Sequence, residues 1–331
     1  MTKVVYVERS PGPFVSIEKV FREIAANLPD SFESKFQALP FGWKVFDTIR
    51  NLVFFRPKPG DLYHVTGHIH YITLRLPPDR TILSVMDVRF VVLSGGIRRW
   101  ILKKLYLDWP ISRMRYVTSI SQKVKEEIVE LTGCDPEKIR VLDLPLLSHI
   151  EHGTERPFNT ARPRILQIGT MTNKNVPRLA GALRGIECRL VIVGELDSEQ
   201  IQSLNKNSID FENYVAVPDE KIRELYETAD IVTFCSTYEG FGLPIIEAQA
   251  MRKPIVTSDI EPLRSVAGEG ACLVDPLNVK SIREGILSMI QYKERRNQII
   301  EAGSRNVKRY DPERVSAQYV ALYNEVMESL R

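Results

Sequence analysis

The sequence predicts an α/β protein of two Rossmann-like parallel-sheet domains facing across a cleft, closed by a last helix that returns to the first domain. Three observations predict it. A chain of 331 residues is too long for one ordinary core and suits two domains of about 150 residues. Short apolar runs alternate with amphipathic helical patterns, the rhythm of a parallel sheet covered on both faces. That rhythm stops at a polar, turn-rich passage over 148–163, which reads as a linker, and then restarts. The boundaries that follow are 1–155, 156–310 and, for the closing helix, 311–331.

In the first half, strands are predicted at Val4–Val7, Phe36–Leu39, Leu62–Thr66, Thr81–Val85, Arg115–Thr118 and Arg140–Leu142. Amphipathic stretches at Ser16–Leu28 and Ser121–Leu131 lie between them. In the second half, strands are predicted at Arg164–Ile168, Arg189–Val193, Asp230–Phe234, Pro254–Thr257 and Ala271–Val274. A helical pattern runs from Val279 to Tyr292. Asp311 and Pro312 open the last helix, with proline in its first turn. Its apolar residues Val315, Tyr319, Leu322, Tyr323 and Val326 keep close to 3.6 spacing. Ligands of open parallel sheets sit beyond the carboxyl ends of the strands, so the cleft is the expected site.

Composition excludes several classes. With 44% hydrophobic and 26% charged residues the chain is an ordinary globular mixture, not a disordered or fibrous one. A net charge of +3 is low for a protein that neutralises phosphates, so no nucleic-acid partner is expected. No apolar stretch approaches the roughly 20 residues that span a bilayer. The N-terminus reads as a strand at once, so no secretory signal and a cytoplasmic setting are expected. Cys134, Cys188, Cys235 and Cys272 are far apart and read as reduced core residues. Residues 1–155 hold 22 basic and 18 acidic residues, and residues 156–331 hold 23 and 24. The small excess of positive charge lies in the first half.

The most informative segment is Asp230–Ile260, which runs strand, glycine loop, helix, strand. Gly240 and Gly242 let backbone come close to a ligand, and Pro244 suits the first turn of the following helix. The free N–H groups of that turn and the helix dipole make a phosphate site. Glu239 and Glu247, eight residues apart, flank it: Glu239 from the loop, Glu247 from about the first helical turn. Carboxylates beside a phosphate repel it unless they accept hydrogen bonds from ligand hydroxyls. The pattern therefore points to a ligand with both phosphate and hydroxyls, such as a sugar nucleotide. A dinucleotide fingerprint is excluded, because Ile245 stands where the last glycine is needed.

The segment YEGFGLPIIEA, followed by KPIVTSD, resembles the E-x7-E region of family 4 retaining glycosyltransferases. IGTMTNKNVPRLAGAL resembles their donor-phosphate loop, and VPDEKIRELYETADI their nucleotide-base segment. SIEKVF, HVTGHIHY and VTSISQKVKEEI resemble first-domain segments. The resemblance implies the GT-B fold and transfer of a sugar from a nucleoside diphosphate, UDP or GDP, to an acceptor hydroxyl with retention of anomeric configuration. It implies that Gly169, Thr170, Asn173 and Lys174 surround the diphosphate, with Lys174 as the neutralising cation. Glu239 would take sugar hydroxyls. Backbone at Gly240, Phe241, Gly242 and Leu243 would meet the sugar and distal phosphate. Glu247 would hold the ribose, and Val217 would frame the base. The leaving diphosphate would help to deprotonate the acceptor, a glycan or lipid-linked molecule of polysaccharide or glycolipid synthesis. No cofactor is implied, and no D-x-D metal-binding pair occurs.

Two positions depart from the family pattern. Thr170 stands where an arginine is frequent, with Arg178 as a candidate substitute. Met86 stands where a histidine is frequent, while the neighbouring Asp87 keeps the acidic position. The catalytic candidates are thus Glu239, Lys174, His68 and Asp87. His68 lies past a strand end, whereas His64 falls within the strand, where a satisfied core histidine is the default. His64, His68 and His70 cluster around Gly67, but no third metal ligand of convincing spacing follows the H-x-H pair His68 and His70. His149 and His152 are expected to be solvated. Gly12, in the Ser10–Pro13 loop, either approaches the ligands or forms a plain turn. Residues 98–115 are basic and aromatic, suiting peripheral contact with an anionic membrane or a solvated helix with its aromatics in the core. Two other readings stay open: a sugar-nucleotide epimerase or phosphorylase on a related fold, and a non-catalytic glycosyltransferase-like subunit.

Overall fold

The computed structural model describes residues 1–12, 16–42, 44–150 and 156–331. It divides into two compact units, Met1–Pro145 with Asp311–Arg331, and Leu146–Tyr310.

The first unit contains β1 (Thr2–Glu8), α1 (Ser16–Ala26), β2 (Phe32–Ala38), α2 (Val45–Phe54), β3 (Leu62–Val65), β4 (Thr81–Val85), α3 (Arg89–Val92), α4 (Gly96–Lys103), α5 (Trp109–Arg113), β5 (Tyr116–Ser119), α6 (Gln122–Thr132) and β6 (Ile139–Val141). Its sheet is parallel, in the order β2-β1-β3-β4-β5-β6. β3, β4 and β5 are buried along their whole length, as strands covered on both faces must be. β2 starts four residues before the predicted Phe36, because FESKFQA is a half-exposed edge strand whose polar residues hide it from an apolar-run reading.

The second unit contains β7 (Arg164–Ile168), α7 (Val176–Leu183), β8 (Arg189–Val193), α8 (Ser198–Lys206), β9 (Phe211–Tyr214), α9 (Asp219–Thr228), β10 (Ile231–Phe234), α10 (Leu243–Ala250), β11 (Ile255–Ser258), α11 (Leu263–Ala267), β12 (Cys272–Val274), α12 (Val279–Gln291) and α13 (Lys293–Asn306). Its parallel sheet has the order β12-β11-β10-β7-β8-β9. β9, with the sequence FENY, is a second edge strand that the apolar pattern misses. α13 is missed as well, since only Arg296, Ile299, Ala302 and Gly303 of KERRNQIIEAGSRN are buried.

The last helix, α14 (Pro312–Glu328), belongs to the first unit. Asp311 caps it by accepting from the N–H groups of Glu313 and Arg314. Its buried stripe is the predicted one, Val315, Tyr319, Leu322, Tyr323 and Val326, with Ser316 added. The tyrosines bring polar tips into the core. Tyr323 Oη lies 2.7 Å from His64 Nδ1 and 3.0 Å from Tyr6 Oη. His64 Nε2 lies 2.7 Å from Ser84 Oγ, which lies 2.6 Å from Thr118 Oγ1. This chain of hydrogen bonds ties α14 to β1, β3, β4 and β5. Such buried networks fix one arrangement, because every member left unpaired would cost free energy.

Burial drives the His64 imidazole down to about 3 and His70 down to about 4, so both are neutral in the fold. The unfolded histidines take protons below about pH 6.5. Stability from these two groups is therefore complete above that pH and lost as pH falls through 6 towards 4. Each contributes a slope of about 1.4 kcal/mol per pH unit over its window. Urea unfolding between pH 7.5 and 4.5 checks this, and a flat profile would contradict it. Tyr323→Phe removes the link to His64 and Tyr6, and should cost about 1–3 kcal/mol.

Candidate functional site

In the second unit, β7 connects to β8 on one side while its other neighbour, β10, connects to β11 on the opposite side. Right-handed crossovers in opposite directions put α7 and α10 on opposite faces and open a crevice beyond the carboxyl ends of β7 and β10. The two loops predicted to hold the ligand leave the sheet there.

The loop after β7 turns on Gly169, at φ +87°. A Cβ there would sit 3.0 Å from Lys174 Cε, so the lysine stem occupies the place of a side chain. Buried Gln167 donates Nε2 to the carbonyls of Gly169 (3.3 Å) and Lys174 (3.4 Å) and accepts from Thr233 of β10 (3.2 Å). Lys174 Nζ then reaches across to Glu239 Oε1 at 2.6 Å, passing 4.4 Å from the Phe234 ring centroid. Asn173 makes the same crossing, donating to the Tyr238 carbonyl (2.8 Å) and Glu239 Oε1 (3.1 Å). Gly169, Asn173, Lys174 and Glu239 thus form one cluster joining the two loops.

The loop after β10 passes Gly240 and turns inward at Phe241, which is buried edge-on against Tyr310 with ring centroids 5.6 Å apart. Gly242 takes φ +122°, and a Cβ there would lie 2.7 Å from Leu263 Cδ2. Only glycine fits this turn, which delivers Leu243 and Pro244 as the first residues of α10. Glu247 sits in the second turn of α10 and not the first. It is buried and accepts a 2.6 Å hydrogen bond from Tyr226 Oη of α9. Burial and this carboxylate push the Tyr226 phenol well above its ordinary value, so it stays a donor. Val217 lies half-buried in the loop between β9 and α9, where Ala216 adopts φ +51°.

Thr170 does not point an anion-binding group into this cluster. Its hydroxyl donates to the Glu195 carbonyl (2.6 Å) against Gly194, tying the β7 loop to the β8 loop. Arg178 is exposed and donates to Asn175 Oδ1 at 3.0 Å.

In the first unit, His68 Nε2 lies 3.1 Å from Asp87 Oδ2, and Asp87 Oδ1 accepts from the Arg89 N–H at 2.9 Å. Burial alone would raise the Asp87 carboxyl, but His68 and the Arg89 N–H outweigh it and hold it below its ordinary value. Met86 is buried. The three histidines bond to different partners: His64 joins the α14 network, His68 meets Asp87, and His70 Nδ1 meets the Tyr106 carbonyl (2.7 Å), while the His68 and His70 rings stack with centroids 6.3 Å apart. Among the described residues no group of three His, Cys, Asp or Glu could hold a metal ion. Gly12 is exposed in the loop after β1, and the residues that follow it lie outside the described ones. His149 is half-buried with Nδ1 3.9 Å from Asp219 Oδ2, not freely solvated, while His152 lies outside the described residues. Over 98–115 the aromatics are not all in the core: Trp100 and Trp109 are exposed.

Three supporting residues had no readable signal in the sequence. Gln167 lies inside an apolar strand run, Tyr226 on the buried stripe of α9, and Phe234 at the end of β10. Each acts through a partner more than five residues away, which spacing cannot reveal.

The family model described as Glycosyl transferases group 1 matches residues 151–306. O-antigen chain mannosyltransferase B of Escherichia coli is 35% identical over 107 residues, covering 32% of this chain and 28% of that protein. O-antigen chain mannosyltransferase RfbU of Salmonella typhimurium is 26% identical over 285 residues, covering 82% and 76%. A phosphatidyl-myo-inositol mannosyltransferase of Mycobacterium leprae is 29% identical over 167 residues, covering 47% and 44%. The chain thus spans between about a quarter and three quarters of the length of these relatives. A solved glycosyltransferase from Rickettsia africae superimposes with a TM-score of 0.76 at 17% identity, over 98% of both chains. WaaG, a glycosyltransferase of lipopolysaccharide biosynthesis, gives 0.72 at 14%, over 97% and 99%. Anabaena HepE, solved with UDP and glucose, gives 0.75 at 15%, over 98% and 100%. These likenesses show that the fold is the two-domain α/β GT-B fold.

The turn before α10 makes a direct prediction. Gly242→Ala should destabilise the chain by about 1–3 kcal/mol through backbone strain and the Leu263 clash. Gly181→Ala, inside α7 with 3.4 Å of room to Val279, should be neutral or stabilising by about 0.5–1 kcal/mol. Thermal unfolding of the pair checks it. Equal effects would show that the conformation at Gly242 is not required.

Proposed function

We propose that this chain is a retaining glycosyltransferase that moves a sugar from a nucleoside diphosphate, UDP or GDP, to an acceptor hydroxyl. The observation that carries the reading is the contact of Lys174 with Glu239 across the β7 and β10 loops, beside the N-terminus of α10. A lone carboxylate there would repel a diphosphate. Paired with Lys174, it leaves the pocket near neutral, and an arriving diphosphate can share the ammonium with it. Lys174 and the backbone of Gly242 and Leu243, at the N-terminus of α10, then face the phosphates. Glu239, released in part, accepts hydrogen bonds from sugar hydroxyls. Glu247, held by Tyr226, is the carboxylate for the ribose.

In the reaction the bond from the anomeric carbon to the diphosphate oxygen breaks, and a bond to the acceptor oxygen forms on the same face. The acceptor proton passes to the departing diphosphate. Negative charge grows on that leaving group, so donors already aimed at it stabilise the transition state more than the ground state. No protein base is required by this route. Likeness to HepE, solved with UDP and glucose, supports a nucleotide-sugar donor. Likeness to O-antigen and phosphatidyl-inositol mannosyltransferases supports a glycan or lipid-linked acceptor in polysaccharide or glycolipid synthesis. His68 and Asp87 are the first-unit groups proposed to meet the sugar or the acceptor.

Substitution separates these roles. Glu247→Ala should weaken nucleoside-diphosphate binding by roughly 10–100-fold, the worth of charge-assisted hydrogen bonds. Glu239→Ala should lower turnover more than binding. Lys174→Met should do both. Calorimetric titration with UDP and GDP, with donor hydrolysis or transfer assays, reads each arm. Unaltered binding and turnover in all three would sink the reading. Net isomerisation of the donor, or dependence on inorganic phosphate, would favour an epimerase or a phosphorylase.

A further inference from the structure

The second unit holds a cavity at the end of its sheet away from the candidate site. Its volume is about 690 Å³, and every residue that lines it belongs to this unit. Its walls are the segment leading into β7, the residues just before β10 and β11, and one face of α13. The candidate site lies beyond the carboxyl ends of β7 and β10, whereas this cavity lies before their amino ends. β10 alone, four residues long, sets the two apart by roughly 13 Å. Among the described residues five cations line the cavity, Arg156, Arg252, Lys253, Lys293 and Arg296, against two carboxylates, Asp230 and Glu301.

Two of these cations are withdrawn from water: Lys253 is 7% exposed and Arg296 6%. Lysine and arginine are almost never buried so far unless a counter-charge accompanies them. Here their hydrogen-bond partners are carbonyls. Lys253 Nζ donates to the Glu227 carbonyl at 2.8 Å, and Arg296 Nη1 to the Met289 carbonyl at 2.7 Å. The Arg296 guanidinium also stands 3.8 Å from the Phe158 ring centroid. Burial, and after it the charge of Arg156, holds the Lys253 ammonium below its ordinary value. Burial lowers Arg296 as well. Charges placed this way are costly until an anion joins them.

The carboxylates nearby are already engaged. Asp230 accepts from the N–H groups of Asn159 (3.0 Å) and Arg164 (2.8 Å). Glu301 meets Arg252 at 2.8 Å, and Glu227 meets Arg223 at 3.0 Å. The excess of positive charge is therefore open to a ligand. An ammonium beside guanidinium groups is the donor set that holds phosphate. A cavity of this volume suits a small organic molecule and is larger than a bare phosphate needs. Thr160 and Asn297 add polar groups for hydroxyls, and Pro254 and Ile300 add apolar wall.

We propose that this cavity is a second anion site that takes a small sugar phosphate, with Lys253, Arg296, Arg156 and Lys293 supplying the positive charge for the phosphate. The inference rests on the buried cations of this cavity and not on the transfer reaction.

Calorimetric titration of the full chain tests it, with ribose 5-phosphate, inorganic phosphate and ribose as probes at matched ionic strength. Saturable binding of ribose 5-phosphate is expected, weaker binding of inorganic phosphate, and none of ribose. Arg156→Glu with Lys293→Glu should weaken ribose 5-phosphate binding at least about tenfold. Both positions are exposed, so that double variant reads binding in a folded chain. Lys253→Met should weaken binding as strongly, with a ligand-free melting temperature held or raised, because an uncompensated buried charge is gone. Binding should persist in Lys174→Met, whose change lies at the other end of the sheet. No saturable binding of ribose 5-phosphate would overturn the proposal. So would binding that the double variant leaves untouched, or binding that Lys174→Met abolishes. Titration of the same preparations with UDP and GDP keeps this outcome separate from the fate of the glycosyl-transfer reading.

Discussion

Two neighbouring strands whose crossovers run in opposite directions leave a gap at their carboxyl ends, and in the second unit a single ion pair spans it. Lys174 from the β7 loop meets Glu239 from the β10 loop at 2.6 Å, with both side chains mostly withdrawn from water. Much of the local structure serves that contact. Gly169 yields its side-chain space to the lysine stem, Gln167 fixes the carbonyls on either side of the turn, and Asn173 repeats the crossing. Removing either charge leaves the other partly buried and unpaired, which is far more costly than losing the pair as a whole. The pair is therefore a poor device for stability, and under the proposed function it holds a charge ready for an incoming diphosphate.

The fold was largely legible because fully buried parallel strands are apolar along their whole length. That pattern found the inner strands of both sheets, and 3.6-residue spacing found α14. It found the edge strands β6 and β12 but only the end of β2, and it missed β9. β2 and β9 are half-exposed, and α13 buries only a thin stripe, so none carries the apolar signal on which such a reading depends. The site was legible in part for a similar reason. Glycines, carboxylates and a lysine at short spacing are visible in one segment of sequence. Gln167 and Tyr226 act through partners 7 and 21 residues away, and nothing local marks them. Thr170 shows the converse. Its position suggested contact with a ligand, but its hydroxyl is spent on the Glu195 carbonyl.

The first unit is organised by a different interaction. A line of hydroxyls and one imidazole runs from Thr118 through Ser84 and His64 to Tyr323, fastening α14 across four strands. The histidine is neutral because burial makes its charged form costly, and in that state one ring nitrogen donates and the other accepts between the serine and the tyrosine. His68, only four residues from His64 in sequence, lies beyond the strand end and pairs with Asp87. Neighbouring histidines thus take unlike roles through their depth in the sheet, a distinction that residue type alone does not carry.

The proposed function depends on where a nucleoside diphosphate binds in the second unit. A crystal structure of the chain with UDP or GDP tests this directly. The diphosphate is expected at the N-terminus of α10, with Lys174 Nζ drawn onto a phosphate oxygen and Glu247 on the ribose hydroxyls. Nucleotide bound elsewhere, with the Lys174–Glu239 contact untouched, would contradict it.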